Sequence, residues 1–183
     1  MNENPLNLLM NPKSIATVGA GNNPMKMGTY HAMSILKDGF RGEFYPIHLK
    51  EDVVLDHKAY RSVYDLPEAP DLAIFITPAD RIPPLLEDFG KIGTKRAIIV
   101  SAGFREIGSD REKLEEELNA ISQRYGIRFL GPNCIGIINS EISLNTTVLA
   151  SDMKPGKLGF ASQSGTYITQ ALPYLERRGV KLS

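Results

Sequence analysis

The sequence predicts an α/β fold with a doubly wound parallel sheet. Short apolar runs alternate with longer runs in which apolar residues recur at helical spacing. The run Leu72–Ile76 is wholly apolar and lies between Asp71 and Pro78, as expected for a strand buried on both faces of a parallel sheet. Alternating strands and helices form consecutive βαβ units, and such units build a doubly wound sheet.

Five strands and three intervening helices are predicted in the first 140 residues. The first helix spans about Thr29–Lys37, and the second contains Ile82–Phe89 with prolines in its first turn, where they are tolerated. The third helix begins at a capping box, Ser109–Glu112, and ends at Gly126. The predicted strands are Ile15–Val18, Glu43–Ile47, Leu72–Ile76, Ala97–Val100 and Arg128–Leu130.

Composition and charge exclude several classes of protein. The chain has 183 residues, and its 21 Lys and Arg balance its 21 Asp and Glu, so charge predicts neither a nucleic-acid partner nor a membrane surface. No apolar run approaches the length of a membrane span. A single cysteine and an N-terminal Met1–Pro5 without a secretory signal lead us to expect a cytoplasmic protein.

The turn after the first predicted strand is a candidate phosphate-binding loop. Glycines let a backbone approach a phosphate, and the following helix N-terminus offers free N–H groups. Pro24 stands where the third glycine of a dinucleotide fingerprint would be, and Lys26 adds a positive charge, so the pattern favours a phosphate-rich ligand other than a plain nicotinamide dinucleotide. A purely structural turn is the alternative. The candidate ligand residues are Gly19, Ala20, Gly21, Asn22, Asn23 and Lys26.

Other candidates follow from the position of the strand ends. Ligands of open parallel sheets bind at the carboxyl ends of the strands. After the second strand, where an NAD site usually carries an acidic residue, this chain has His48 and Lys50. A lysine there favours a ribose phosphate, as in coenzyme A (CoA) or NADP, and an ordinary surface lysine is equally compatible. Glu51 keeps NAD open.

The pattern of residue types along the sequence changes after about residue 140. Residues 141–156 are rich in turn formers and are expected to be a linker, and residues 157–183 are expected to begin a second, incomplete α/β domain. Strands are predicted at Lys157–Ala161 and Gly179–Ser183. Between them, Ser162, Gln163, Ser164 and Gly165 precede a helix, and Pro173 is expected to kink that helix or delay its start. An anion site and an ordinary serine N-cap are both possible there, and the local residues favour the N-cap.

No catalytic or metal-binding set is evident. His31, His48 and His57 have spacings that suit no metal site, and Cys134 is expected to be a buried structural thiol because no basic partner is evident.

In combination, seven segments resemble the NDP-forming acyl-CoA synthetases, a family that includes ADP-forming acetate–CoA ligase and, more distantly, the succinyl-CoA synthetase α subunit. The segments occur in family order over nearly the whole chain: Ser14–Gly28, Gly39–Pro46, Lys58–Val63, Asp71–Ala79, Ser101–Glu106, Gly131–Gly136 and Ser162–Gly165. The resemblance implies a Rossmann-like CoA-binding domain at residues 1–140 and the start of a flavodoxin-like ligase domain at residues 157–183.

The resemblance also implies roles for the candidate residues. The glycine turn with Lys26 would hold CoA phosphates, Lys50 would lie near the adenosine end, and Ser162–Gly165 would cradle the phosphate of a phosphohistidine. The pantetheine path would be lined by Pro78, Ala79, Ser101, Ala102, Gly103, Pro132 and Asn133. Two departures affect these roles, since Gly21 stands where the family often has Ser, and His48-Leu49 replaces an Asn-Pro pair.

The reaction implied by the resemblance converts acyl-CoA, ADP and phosphate into a carboxylic acid, ATP and CoA. Its phosphorylated histidine is expected beyond Ser183, and its ATP-grasp part, which handles ADP, ATP and Mg²⁺, is expected in another domain or subunit of an oligomer. This chain alone is therefore expected to bind CoA without turnover. Alternatives are a CoA-sensing regulatory module of an acyltransferase and an NAD(P)-dependent oxidoreductase domain.

Overall fold

The protein is built around one five-stranded parallel sheet. The computed structural model describes residues 4, 6–108 and 111–183. The strands of the sheet are ordered β2-β1-β5-β6-β7. The elements are α1 (Asn7–Met10), β1 (Ser14–Val18), α2 (Met27–Lys37), β2 (Glu43–Ile47), β3 (Val53–Val54), β4 (His57–Lys58), β5 (Leu72–Phe75), α3 (Ile82–Ile92), β6 (Arg96–Ile99), α4 (Glu112–Tyr125), β7 (Arg128–Leu130), β8 (Ile138–Asn139), β9 (Leu144–Asn145) and α5 (Gly165–Arg177).

All five predicted strands are confirmed, with ends displaced by at most one residue. Every pairing in the sheet is parallel. The chain runs outward from β1 to β2 and then crosses back to β5 on the other side of β1. This reversal creates a switch point between β1 and β5, which is where open α/β sheets form a ligand crevice.

Two apolar layers cover the sheet. Phe75 and Ile99 pack with Phe89 of α3 and Leu118 of α4 on one face, and all four are fully buried. On the other face, Ile15 and Ile74 pack with Ile35 of α2. Because both faces are covered, the strands are continuous apolar runs, and this is why the sequence revealed them so clearly.

Two small hairpins were not predicted. Strands β3 and β4 pair across a turn formed by Leu55 and Asp56, and β8 pairs with β9. Each strand in these hairpins has two residues, which is too short to show a periodic pattern. The β8–β9 hairpin brings Leu144, which is fully buried, into the α2 face of the core, although it lies in the segment expected to be a linker.

The chain after residue 156 differs from its prediction. In place of the two strands predicted at Lys157–Ala161 and Gly179–Ser183, the structure has a single parallel bridge between Leu158 and Leu182. A strand needs a paired neighbour along its length, and among the described residues only this one pairing forms. Helix α5 begins at Gly165 and continues through Pro173, so its start is not delayed.

Two remaining features concern the helices. The predicted third helix is α4, but Ser109 and Asp110 of its capping box lie outside the described residues. Within residues 4, 6–108 and 111–183, every helix is too short or too polar to cross a bilayer.

His31 is a buried polar side chain on helix α2. It is only 1% exposed, and its Nδ1 lies 2.6 Å from the carbonyl oxygen of Thr146, so Nδ1 carries the proton and donates it. Burial lowers the pKa of His31 below its ordinary value of 6.5, and the hydrogen bond to Thr146 opposes this only in part. The imidazole therefore joins α2 to the segment after β9 in its neutral form.

We expect His31 to make the protein less stable in mild acid. The unfolded chain takes up the proton near pH 6.5 and the folded protein does so only at lower pH, so the free energy of unfolding falls as pH drops from 6.5 through the folded pKa. Urea unfolding between pH 7.5 and 5 measures this. The variant His31→Asn keeps a donor for Thr146 but cannot titrate, so it should lose this part of the pH dependence. Parallel curves for the two proteins would contradict the assignment.

Candidate functional site

Three backbone segments meet without side chains at the switch point. A Cβ atom on Gly19, whose φ is +105°, would lie 1.9 Å from the carbonyl oxygen of Ile76. A Cβ atom on Gly28, in the first turn of α2, would lie 2.1 Å from the carbonyl oxygen of Gly19. Gly28 therefore performs the close-packing role of a third fingerprint glycine, although the fingerprint spacing places that glycine at Pro24. Because Gly28 lies inside helix α2, the sequence of the turn alone did not indicate this role.

The carboxyl ends of the five strands form one continuous edge, which we call the rim. A Cβ atom on Gly21 after β1 would lie 3.6 Å from Nε2 of His48 after β2. Thr77 after β5 is bonded to Ser101 after β6, and the Asn133 N–H after β7 donates to the Ser101 carbonyl at 3.0 Å. With neighbouring strands about 4.8 Å apart, the rim extends roughly 19 Å, which suits a long, narrow ligand.

At the β1 end of the rim, Gly21 has free space that Gly19 and Gly28 lack. A Cβ atom there would make only ordinary contacts with His48 and with Oγ1 of Thr29, and its φ is unstrained. The Gly21 N–H donates to the buried Thr29 Oγ1 at 3.2 Å, so this amide is already used within the protein. The resembled family often has a serine at this position. The backbone of Gly21 leaves room for such a side chain, so the only element missing here is the serine hydroxyl.

His48 replaces an asparagine without losing its turn geometry. Its Nδ1 accepts the N–H groups of Lys50 at 3.3 Å and Glu51 at 2.9 Å, which is the type of bond an asparagine makes to the residues that follow it. Because Nδ1 is an acceptor, the neutral ring carries its proton on Nε2, the atom nearest to Gly21. His48 thereby holds the loop that carries Lys50.

Asn22 forms a side-chain clamp that the sequence did not reveal. Its Nδ2 donates to Glu51 Oε2 and to the carbonyl of Val53, both at 2.8 Å, and its Oδ1 accepts the Leu55 N–H at 2.9 Å. The three partners are far away in sequence, and no local pattern could have indicated them. The clamp also occupies one carboxylate oxygen of Glu51, the residue that had kept an NAD ribose contact open.

The middle of the rim is held by its own polar groups. The Ser101 hydroxyl donates to the Thr77 carbonyl at 2.7 Å and accepts the Thr77 N–H at 3.0 Å. The Glu106 carboxylate accepts the Gly103 N–H at 2.5 Å and the Phe104 N–H at 3.1 Å. Partial burial would raise the pKa of Glu106, but these backbone donors outweigh it and lower the pKa. The Ser101 and Glu106 side chains thus fix the loops and leave backbone and apolar groups facing outward.

The loop after β7 also packs tightly. A Cβ atom on Gly131, whose φ is +100°, would lie 2.3 Å from the carbonyl oxygen of Ile99, and the Gly131–Pro132 bond is cis. Cys134 donates to the Ile99 carbonyl at 3.3 Å, and burial raises the pKa of its thiol to about 11. Such a thiol is protonated at neutral pH, in agreement with the expected structural role.

The Ser162–Gly165 segment caps α5. Ser164 Oγ accepts the Tyr167 N–H at 3.2 Å, and Ser162 Oγ accepts the Ser164 N–H at 3.0 Å, so both hydroxyls serve the N-cap. A Cβ atom on Gly165 would lie 3.2 Å from Cγ2 of Ile135, two residues beyond Asn133. The tertiary structure therefore places the N-terminus of α5 beside the β7 end of the rim.

The groups left unused on the rim are backbone donors and cations. The N–H groups of Asn22 and Asn23, both exposed residues, have no hydrogen-bond partner in the described part of the chain, whereas Ala20 is fully buried. Lys26 and Lys50 are exposed, and neither forms an ion pair with another described residue. Free amides and lysines suit an anionic ligand.

A cleft in the described part of the chain lies away from the rim. It has a volume of about 670 Å³ and lies at the opposite edge of the sheet, where Lys13, Phe40 and Ile142 contribute to its walls. We place the candidate site on the rim because the donors and cations converge there, whereas the cleft lies at the amino ends of the strands.

Substitutions of Gly28 and Gly21 should distinguish a tightly packed glycine from one with free space around it. We expect Gly28→Ala to reduce the free energy of unfolding by several kcal/mol, because its Cβ would overlap the Gly19 carbonyl and α2 would have to shift. Gly21→Ala is the matched control and should change stability by less than about 1 kcal/mol. Denaturant unfolding of both variants measures the difference. Equal losses would show that α2 does not pack as described.

Comparisons with known proteins identify relatives of this chain. The chain is 38% identical over 177 residues to an ADP-forming acetate–CoA ligase I of Archaeoglobus fulgidus, covering 96% of this chain and 25% of that protein. It is 40% identical over 160 residues to the α subunit of an ADP-forming acetate–CoA ligase II of Pyrococcus furiosus, covering 87% of this chain and 35% of that subunit.

A solved structure shows the same fold over the whole chain. It is the dinucleotide-forming acetyl-coenzyme A synthetase 1 of Ca. Korarchaeum cryptofilum in complex with phosphate and ADP, with a TM-score of 0.92, 37% identity, and coverage of 100% of this chain and 39% of that one. The chain thus spans between a quarter and two fifths of these relatives. A family model described as a CoA binding domain matches residues 13–140, and the chain belongs to this CoA-binding domain family.

Proposed function

We propose that the chain is the CoA-binding part of an ADP-forming acyl-CoA ligase and that CoA lies along the rim. The observation that carries this proposal is the convergence of unpartnered amides and two free lysines on one edge of a CoA-binding domain. The N–H groups at Asn22 and Asn23 would bind the pyrophosphate, and Lys26 would add charge. This is the ordinary chemistry of a glycine turn before a helix N-terminus.

The orientation of CoA follows from the two ends of the rim. Lys50, held by His48 at the β2 end, would lie near the phosphorylated adenosine. The pantetheine arm would run past Pro78, Ala79 and Ala102 toward Pro132 and Asn133. Because the Ser101 hydroxyl and the Gly103 N–H are engaged within the protein, these two groups would not donate to CoA. The thiol would then point toward the N-terminus of α5.

We propose that Ser162–Gly165 cradles a phosphoryl group next to that thiol. The contact between Gly165 and Ile135 supports the placement, and the first N–H groups of α5 have no helical partner. The serine hydroxyls cap the helix, so the backbone would supply most of the binding. In the complete reaction, a phosphohistidine outside this chain would carry the phosphoryl group between an acyl phosphate and ADP.

The remaining parts of the reaction belong to other chains or domains. An ATP-grasp part would bind ADP, ATP and Mg²⁺, and the acid would be a small carboxylate. Tyr167 and Tyr174 of α5 are 62% and 57% exposed, and Leu158 is 49% exposed, which supports contact with further protein in an oligomer. The chain has a single cysteine and so can form no internal disulfide, which supports a reducing location such as the cytoplasm.

The other two functions have less support. An NAD site needs a carboxylate free to bind the ribose hydroxyls, and the Glu51 carboxylate is bonded to Asn22. Neither the geometry nor the relatives described above carry a feature specific to a regulatory module of an acyltransferase.

We expect calorimetry to show CoA binding by the 183-residue chain, with dephospho-CoA binding about threefold more weakly. An exposed ion pair contributes up to roughly 1 kcal/mol, so Lys50→Ala should abolish the difference between the two ligands. Lys37→Ala removes the same charge at the far end of α2 and should preserve the difference. Binding of NADH without binding of CoA would overturn the proposed function. Equal affinity of the native chain for CoA and dephospho-CoA would overturn only the role of Lys50.

A further inference from the structure

The Asn22 side chain faces away from the expected ligand. It lies in the glycine turn, where a ligand contact is the natural expectation. Yet both of its Nδ2 hydrogens are donated, to Glu51 and Val53, and its Oδ1 accepts from Leu55. All three bonds are between 2.8 and 2.9 Å, and they cross 29 to 33 positions of sequence. The side-chain amide therefore has no donor left for CoA.

The hairpin on the other side of these bonds is anchored in the core. Val54 of β3 is fully buried, and the His57 ring meets Phe44 edge-to-face with centroids 5.3 Å apart. The Ala59 N–H donates to the Asp52 carbonyl at 2.8 Å and closes the base of the hairpin. Through Asn22, the glycine turn is therefore bonded to a hairpin that is itself anchored in the core.

The hairpin turn carries backbone strain at the residue that Asn22 holds. Leu55 has a φ of +50° and Asp56 a φ of +63°, in the left-handed region that side chains other than glycine rarely adopt. The Leu55 N–H donates to Asn22, and its carbonyl accepts from His57 Nδ1 at 2.7 Å. Strained residues persist where surrounding bonds determine them, and they often mark ligand sites.

We propose that Asn22 is a positioning residue of the CoA site and not a direct ligand through its side chain. By joining the glycine turn to the β3–β4 hairpin, it holds the N–H groups of Asn22 and Asn23 toward the rim before CoA arrives. A preorganised loop loses less conformational entropy on binding. This inference rests on the proposed function and adds to it the element that shapes the phosphate-binding turn.

Charge-matched variants test the proposal. Asn22→Asp keeps the acceptor for Leu55 but replaces the Nδ2 donor with an oxygen that faces Glu51 and the Val53 carbonyl. Asn23→Asp adds the same charge one residue along and keeps the Oδ1 that accepts the Met25 N–H, which is the side-chain bond Asn23 makes to the described residues. We expect Asn22→Asp to bind CoA about tenfold more weakly than Asn23→Asp in calorimetry. In Asn22→Asp, the two hydrogen bonds donated by Nδ2 are replaced by repulsion between oxygen atoms of residue 22, Glu51 and Val53.

A second substitution supplies the readout that distinguishes positioning from direct contact. Glu51→Gln gives residue 51 a donor that can bond to the aspartate of Asn22→Asp, so the double variant should recover at least half of the lost factor of ten. The same Glu51→Gln change in the Asn23→Asp background should alter affinity by less than threefold. Melting temperatures of all variants are measured in parallel. If Asn22→Asp does not fold, Asn22→Ala is compared with Asn23→Ala, with the same order of affinities expected.

Two outcomes would overturn the inference. One is equal CoA affinity for the variants at positions 22 and 23. The other is a loss at position 22 that Glu51→Gln does not reverse, since that result indicates a direct contact with the ligand. Failure of the native chain to bind CoA would instead refute the proposed function, so the two failures are distinguishable.

Discussion

The site depends on the absence of two side chains, at Gly19 and Gly28. At these positions the end of β1, the end of β5 and the first turn of α2 approach each other so closely that backbone atoms occupy the space of a Cβ. The approach places the N-terminus of α2 directly behind the turn between Gly19 and Asn23. A helix N-terminus and a turn with free amides then act on the same volume, and that combination attracts phosphate.

The polar side chains of the rim serve mostly to shape it. Thr29, Asn22, His48, Ser101 and Glu106 each bond to backbone groups of neighbouring loops. These bonds restrain the loops, and the groups left over are amides and exposed lysines. A protein without net charge can present a local anion site in this way, because binding depends on the few groups that converge and not on overall charge.

The contact between Gly165 and Ile135 connects helix α5 to the loop after β7, at the β7 end of the rim. A second connection lies at the base, where the Ser140 hydroxyl donates to the Leu182 carbonyl at 2.9 Å. In the proposed reaction, the thiol end of CoA and the N-terminus of α5 must be neighbours. The fold places the N-terminus of α5 beside the β7 end of the rim through packing of one glycine against one isoleucine, and the serines of the segment cap the helix.

The sequence by itself determined the sheet, because strands buried on both faces are apolar runs that need no partner to be seen. It also determined the position of the rim, since parallel strands end on one side and the Gly, Pro and Ser residues after them are visible in order. Only the tertiary structure decided which residues at the rim are free to bind. Gly28 and Asn22 acquired their roles from atoms 9 to 33 residues away, and such contacts leave no local pattern. The same reason explains the missed β3–β4 hairpin and the single bridge at Leu158, because short or lone strands are defined by their partners and not by their own residues.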